Sequence, residues 1–212
     1  MSTWFDQQSN STKEQFINLI HKGQLEIVGG GWVQHDEALT PLELAIRQIE
    51  MGHEYLFKNF GIHRVRVAWQ IDPFGHSAMT PALMSKMGYE YLIINRIDQR
   101  FKNQLIDEAS LEFVWEGSDI GGDNKILTHL LYDHYEYPKA FLKNSKDYCL
   151  SGSNDDNIVT KCVGKIKELI NNRKKSYKTD NIMLPLGNDF EYDTYNREER
   201  NFKLIEKIMG KS

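Results

Sequence analysis

Two aspartates, far apart in the sequence, stand where reactive carboxylates are commonly found. Asp72 follows an apolar segment at 65–71 and precedes Pro73, so it lies where a strand passes into a helix. Asp189 follows a second candidate strand at 182–186. A carboxylate at such a strand end is a candidate nucleophile, general acid/base or metal ligand. The alternative is an ordinary turn aspartate, since proline and glycine are its neighbours.

A pair of carboxylates can hydrolyse a glycosidic bond. In a retaining enzyme one carboxylate attacks the sugar carbon while the other protonates the leaving oxygen, and the two stand about 5–5.5 Å apart. Because the carboxyl ends of neighbouring parallel strands converge on one pocket, we expect Asp72 and Asp189 to face a common cleft.

Further polar and aromatic residues follow candidate strands in the same way. They are Trp32 and Asp36 after 25–28, Arg96 after 91–94 and Tyr135 after 126–131. The alternatives are a surface ion pair for Arg96, core packing for Trp32 and Tyr135, and simple solvation for Asp36. His35 is adjacent to Asp36, so the two side chains diverge and make a poor chelate. His76 is expected to orient its neighbours by hydrogen bonding rather than to bind metal.

The elements that must position these residues alternate between helices and strands. Capping-box patterns at 11–14 and 40–43 predict two helices, the second ending near Gly61. The remaining predicted elements are strand 65–71, helix 78–87, strands 91–94, 112–115 and 126–131, a surface loop at 143–157, helix 158–171, strand 182–186 and a helix at 197–209. Strands followed by helices predict a parallel α/β sheet in one domain over 1–212.

Composition narrows the classes of function. The chain has 212 residues, a formal net charge of −4 and 40 % apolar residues. We therefore expect no nucleic-acid partner, and no membrane span because no apolar run reaches ~18–20 residues. The first twenty residues show no signal-peptide core. Cys149 and Cys162 form either one bridge or two free thiols, and an oligomer is left open.

Three sequence blocks resemble a known family. Residues 69–77, Trp-Gln-Ile-Asp-Pro-Phe-Gly-His-Ser, resemble the nucleophile motif of the class II α-mannosidases, glycoside hydrolase family 38. Residues 23–38 resemble that family's first inner strand and loop, and residues 183–192 resemble a block near its acid/base. The blocks occur in the family's order, and the similarity is closest to the lysosomal-type branch.

The resemblance implies a fold, an activity and residue roles. The fold is part of a distorted parallel β/α barrel, and the activity is zinc-dependent, retaining hydrolysis of α-mannosidic bonds in mannose-containing glycans. Asp72 is implied to be the nucleophile and a zinc ligand, and Asp189 the acid/base. Phe74, Arg96 and Tyr135 are implied to bind the substrate. A lysosomal or secretory location follows by analogy alone.

One part of the family's pattern is missing. The family's catalytic domain begins with a His-x-Asp-x-Gly-Trp block, which supplies two zinc ligands, and no His-x-Asp occurs in this chain. A catalytic zinc usually has about three protein ligands. We therefore expect an interior fragment of the N-terminal catalytic domain, with the remaining zinc ligands outside this chain.

Such a fragment would expose unpaired sheet edges, so we expect the isolated chain to be poorly folded and inactive. Two alternatives remain open. One is an inactive mannoside-binding or structural remnant. The other, less favoured, is a different metal-dependent hydrolase such as a deacetylase, although the His-x-x-x-His spacing expected there is absent.

Overall fold

A computed structural model describes residues 1–119, 121–122, 124–136, 138, 156–189, 203, 205–207 and 209–210. The chain divides into two compact units. Unit 1 comprises Met1–Ile94 and Val114–Thr128, and unit 2 comprises Asn95–Phe113 and His129–Ser212. The architecture is mixed α/β.

Four helices precede or separate the first strands of unit 1. They are α1 (Ser2–Asp6), α2 (Asn10–His21), α3 (Leu42–Phe60) and α4 (Met79–Lys86). The Ser9 hydroxyl caps α2 by accepting the Thr12 N–H at 3.2 Å, so the cap lies two residues before the capping box predicted at 11–14, which is wrong. The capping box predicted at 40–43 is wrong, because the N-cap of α3 is Pro41 and no side chain caps it. Gly61 ends α3 with a left-handed φ of 68°, as its position predicted.

The sheet is open and has four strands in the order β1-β2-β4-β3. These are β1 (Val67–Gln70), β2 (Tyr91–Ile94), β3 (Glu112–Glu116) and β4 (Lys125–Leu130). β1 and β2 are parallel, with Ala68 opposite Leu92, and both residues are buried. Burial of this pair explains why both strands were recognisable as apolar runs.

β3 and β4 depart from the predicted parallel order. Only residues 117–124 join them, and Gly117 N–H donates to Asn124 O at 2.9 Å across the connection. An antiparallel pair can be joined by such a hairpin, whereas a parallel pair needs a longer crossover. The purely parallel sheet was therefore a wrong prediction. Gly117 is required here, since a Cβ would lie 2.7 Å from the backbone nitrogen of Ala82.

Unit 2 contains α5 (Gln99–Asp107) and α6 (Asp156–Lys174). α5 was not predicted. Asp98 caps it by accepting the N–H groups of Arg100 and Phe101 at 3.0 and 3.1 Å. Among the residues of unit 2 that the structure describes, the buried apolar ones are Leu105, Leu111, Leu130, Leu131, Val159, Cys162, Val163 and Tyr177. Cys162 is disulfide-bonded, so it is not one of two free thiols.

Two predicted strands, 25–28 and 182–186, are irregular in the structure. A strand needs a continuous series of backbone hydrogen bonds to a neighbouring strand. Next to segment 25–28, the described backbone offers a single bond of this kind to β1, from the Gly29 N–H to Val67 O at 2.8 Å. Most of the predicted loop at 143–157 and much of the predicted helix at 197–209 lie outside the described residues. Within the described residues, no helix combines the length and apolarity needed to cross a bilayer.

Candidate functional site

Asp72 lies in the loop 71–77, directly beyond the carboxyl end of β1, and its side chain is exposed. Its N–H donates to Gln34 Oε1 at 3.3 Å, and Gln34 Nε2 donates to Trp69 O at 3.4 Å. A small cavity of about 90 Å³ is lined by Gln34, Asp36, Asp72, Pro73 and Phe74. The strand end therefore presents a carboxylate to a solvent-accessible hollow, as the sequence predicted for Asp72.

Two aromatic residues that follow predicted strands, Phe74 and Trp32, are exposed. Phe74 is 81 % exposed, although burial of such a ring is normally favourable. Trp32 is 51 % exposed, with its ring 5.8 Å from that of Tyr55 in an edge-on arrangement, so it is not a fully buried core residue. Exposed rings of this kind can stack on the apolar face of a sugar.

Asp36 has a local structural role. One of its carboxylate oxygens accepts the N–H groups of Ala38 and Leu39, at 2.9 and 2.7 Å. This is the hydrogen bonding of an aspartate that shapes a turn. His35 is buried, and its ring nitrogens lie 3.0 Å from Gln48 Nε2 and 3.5 Å from Gln70 Nε2. As expected, the adjacent His35 and Asp36 make separate contacts.

Glu37 is a residue that the sequence reasoning missed. Its side chain is only 2 % exposed, and its two oxygens face donors from a single stretch of the chain. Oε1 lies 2.9 Å from His76 Nδ1 and 3.1 Å from Gln70 Nε2, while Oε2 accepts the Ser77 N–H at 2.8 Å and the Thr80 hydroxyl. His76 therefore makes the orienting contact that was expected of it.

The electrostatics of Glu37 favour the ionised form. Burial alone raises the pKa of a carboxyl group. The hydrogen bonds to His76 and Thr80, the attraction to His76 and the Ser77 N–H together outweigh burial and hold the pKa of Glu37 below its ordinary value. The group is therefore a buried carboxylate whose oxygens are occupied by donors. No sequence spacing marks it, because its partners come together only in the fold.

Unit 2 brings three of the predicted site residues into one chain of contacts. Arg96 Nη2 donates to the Tyr135 hydroxyl at 3.2 Å, and the guanidinium carbon lies 5.7 Å from the Tyr135 ring centroid. The Tyr135 hydroxyl in turn donates to Asp189 Oδ1 over a long 3.4 Å. Asp189 is exposed, whereas Arg96 and Tyr135 are half-buried.

A more deeply buried cation lies in the same unit. Lys102 is 5 % exposed, and its Nζ donates to the carbonyl oxygens of Asp133 at 2.6 Å and Asn95 at 3.4 Å. Burial, opposed by the Asp133 charge and reinforced by that of Arg173, lowers the pKa of Lys102 to about 8. Arg173 itself contacts the Asp133 carboxylate at 2.6 Å.

The described residues do not complete a zinc site. Among them, no three histidine, cysteine, aspartate or glutamate side chains are grouped closely enough to hold a metal ion. Asp72 and Asp36 border one cavity, but the Oδ1 of Asp36 already accepts two backbone N–H groups. A catalytic zinc usually has about three protein ligands. The donor set of the described residues therefore does not fit zinc.

The structure thus places the five predicted site residues in two groups. Asp72 and Phe74 lie in unit 1, and Arg96, Tyr135 and Asp189 lie together in unit 2. The common cleft for Asp72 and Asp189 stays a prediction.

Comparison with known proteins identifies the family. The model of the glycosyl hydrolases family 38 N-terminal domain matches residues 1–211. Similar proteins include alpha-mannosidase F of Dictyostelium discoideum, 33 % identical over 99 % of this chain, and alpha-mannosidase D of the same organism, 36 % identical over 93 %. Alpha-mannosidase 2 of Rattus norvegicus is 30 % identical over 99 % of this chain.

The matched regions make up 21 %, 15 % and 20 % of those three relatives, so the chain spans about a fifth or less of their length. The match to the family model nevertheless covers nearly every residue, including both candidate carboxylates. The chain therefore belongs to glycosyl hydrolase family 38, and it matches the N-terminal domain of that family.

Proposed function

We propose that this chain forms part of the catalytic domain of a retaining α-mannosidase that acts on mannose-containing glycans. The observation that carries the proposal is the family match over residues 1–211. The proposed nucleophile is Asp72 and the proposed acid/base is Asp189.

The proposed reaction has two steps. The Asp72 carboxylate attacks the anomeric carbon and forms a glycosyl ester, while the Asp189 carboxyl group protonates the departing oxygen. Asp189 then removes a proton from water, and that water releases the sugar from Asp72. The exposed strand-end position of Asp72 and the Gln34 contact to its N–H support its role as the nucleophile.

The other three site residues are proposed to bind and orient. Phe74 presents an exposed ring that can cover the apolar face of a mannose unit. Tyr135 donates toward Asp189, and Arg96 donates to Tyr135, so this chain of contacts restrains the acid/base side chain. In the bound state, Arg96 and the Tyr135 hydroxyl also offer donors to sugar hydroxyls.

Zinc dependence is part of the proposal, with Asp72 as one ligand and the remaining ligands outside this chain. The two proposed steps use Asp72, Asp189 and water, and the described residues do not complete a metal site. In the same way we propose that the four-stranded sheet belongs to a larger distorted β/α barrel. The sheet β1-β2-β4-β3, with β1 and β2 parallel, is the part that supports this.

A lysosomal or secretory location is also proposed. One relative, 29 % identical over 98 % of this chain, is named lysosomal alpha-mannosidase. Cys162 is disulfide-bonded, and disulfides persist mainly in oxidising compartments. Asn10, the first residue of an N-x-S/T pattern, is exposed and therefore accessible to glycosylation.

The decisive experiment traps the nucleophile. The whole gene product is incubated with a fluorinated α-mannosyl fluoride, which forms a slowly hydrolysed glycosyl ester in retaining enzymes, and the labelled peptide is mapped. We expect the label on Asp72, loss of turnover of an aryl α-mannoside in Asp72→Asn, and loss of turnover with a chelator. The exposed Asp107→Asn variant is the matched control and should behave as wild type.

Two other results would redirect the proposal. Binding of mannosides without turnover or labelling would favour the inactive remnant. Labelling of a different carboxylate, with Asp72→Asn still active, would show that the assignment of the nucleophile is wrong.

A further inference from the structure

Four hydrogen-bond donors reach the Glu37 carboxylate from the strand, loop and helix that surround Asp72. Gln70 is the last residue of β1, two positions before Asp72. The other three donors, His76, Ser77 and Thr80, follow Asp72 and lead into α4. A single buried side chain is therefore tied to the chain on both sides of Asp72.

Two residues at the tip of this loop, Phe74 and Gly75, are exposed. Phe74 is 81 % exposed, and a Cβ added at Gly75 would meet nothing within 4 Å. Gly75 also has a φ of 155°, which side-chain-bearing residues rarely adopt. Neither residue is buried, and the hydrogen bonds to Glu37 hold the chain on both sides of them.

The short segment 34–37 supplies both kinds of contact to the loop. Gln34 accepts the N–H of Asp72 itself at 3.3 Å, while Glu37 accepts from the residues on either side. The Gln34 contact is exposed and long, whereas those of Glu37 are buried and shorter. Buried charge-assisted hydrogen bonds are about twice as strong as neutral ones. Glu37 is thus the dominant tether.

We propose that Glu37 is a positioning residue, which fixes the Asp72 loop so that the Asp72 carboxylate meets the sugar at the reacting distance. This inference rests on the proposed function, because it takes Asp72 as the nucleophile. Glu37 itself does not touch the substrate. Its effect is geometric, and displacement of a reacting group by about 1 Å can lower a rate by about 100-fold.

Glu37→Gln tests the inference with almost no change in shape. The amide NH₂ that replaces one carboxylate oxygen cannot accept a hydrogen bond, so at least one pair of donors loses its acceptor. Glu90→Gln is the matched control. Glu90 is also a carboxylate held by side-chain contacts, but it contacts Arg66 and Arg64 at the opposite, amino ends of β1 and β2.

Two measurements on the whole gene product separate positioning from stability. The fluorinated mannosyl fluoride counts active sites, so its labelling rate is expressed per active molecule. We expect Glu37→Gln to lower this rate and kcat by about 10–100-fold with KM nearly unchanged, and Glu90→Gln to stay within about twofold of wild type. A purely structural role would reduce the number of sites without changing the rate at each site.

The second measurement needs no catalysis. The Ser77 N–H donates directly to Glu37, so hydrogen exchange at Ser77 should accelerate at least about tenfold in Glu37→Gln and stay unchanged in Glu90→Gln. Unchanged exchange at Ser77 or an unchanged labelling rate would overturn the inference. If instead Asp72→Asn retains full turnover, the proposed function fails, and the exchange result still reports whether Glu37 holds the loop.

Discussion

Glu37 in unit 1 and Lys102 in unit 2 are both buried charged side chains, and the two are stabilised to very different degrees. Glu37 in unit 1 faces four donors, including His76, and its pKa lies below the ordinary value despite burial. Lys102 in unit 2 faces two carbonyl oxygens, and burial lowers its pKa to about 8. In both cases burial opposes the charge, but only at Glu37 do the partners outweigh it.

The difference lies in the number and charge of the partners. A carboxylate can accept several donors at once, and the donors of Glu37 occupy both of its oxygens. Lys102 gains from Asp133, but Arg173 takes the same carboxylate and repels the ammonium group. The charge of Glu37 is therefore held by several donors, whereas Lys102 is buried at a cost.

Glu37→Ala should have the largest effect on stability. It removes the acceptor from four donors, among them the buried His76 ring and the Ser77 backbone N–H. Each buried donor left without an acceptor costs about 1–3 kcal/mol, so we expect a loss of several kcal/mol. Hydrogen exchange of peptides from β1 and α4 should report this decrease in the free energy of opening.

Glu116→Ala is the control for that variant. Glu116 pairs with Lys125 at 3.3 Å, and both side chains are more than half exposed. Such surface pairs contribute about 0–1 kcal/mol. Equal effects of the two variants would show that the Glu37 network does not stabilise unit 1.

Lys102→Met should have a smaller effect at pH 7, with the opposite sign. Methionine keeps an apolar stem and removes the buried charge, so we expect unit 2 to be as stable as wild type or more stable by about 1–2 kcal/mol. The α5 peptides, which contain residue 102, are the ones to follow by hydrogen exchange. A loss of several kcal/mol would mean that the carbonyl contacts outweigh the cost of burial.

Lys102→Met should also remove one part of the pH dependence of folding stability. The pKa of Lys102 is about 8 in the fold and 10.5 as its reference value, so between these values the unfolded chain binds more protons. The contribution of Lys102 to the stability of the wild type should therefore rise with pH from about 8 to 10.5. Lys102→Met should lack this rise, and the exposed Lys178→Met should retain it.

In unit 1, acid should reduce the stability that the ionised Glu37 contributes. Because the pKa of Glu37 is lowered in the fold, its stabilising effect is complete above the reference value of 4.5 and is lost as the pH falls through the folded value. The difference in stability between wild type and Glu37→Gln should therefore shrink below pH 4.5. A difference that stays constant down to the lowest pH at which the chain is folded would contradict a lowered pKa.

The sequence was informative where local pattern and burial coincide. β2 was predicted at its observed bounds, 91–94, and the periodic helix α3 and its end at Gly61 were found because apolar spacing and a glycine are local signals. α5 was missed because few of its residues are apolar, although Asp98 was an available capping signal. Strand 25–28 was a wrong prediction because an apolar run alone does not supply a paired neighbour.

The candidate site divides in the same way. Asp72 and Asp189 could be singled out by motif and resemblance, and the contact of Tyr135 with Arg96 and Asp189 agrees with grouping these residues. Glu37 could not be singled out. It lies among polar residues, and its significance comes from burial against residues 33 to 43 positions away in the sequence. Burial of a polar side chain is a tertiary property that sequence periodicity does not report.

Tyr135→Phe should have the smallest effect, on activity alone. It removes the hydroxyl between Arg96 and Asp189 but keeps the ring, and the bond to Asp189 is long at 3.4 Å. One such hydrogen bond contributes about 0.5–1.5 kcal/mol, so kcat/KM for an aryl α-mannoside should fall by about 2–10-fold. Tyr91→Phe, which alters an exposed tyrosine in β2, is the matched control and should leave kcat/KM unchanged. A loss of about 1,000-fold in Tyr135→Phe would be far beyond one restraining bond. It would mean that the Tyr135 hydroxyl takes part in the reaction itself rather than only restraining Asp189.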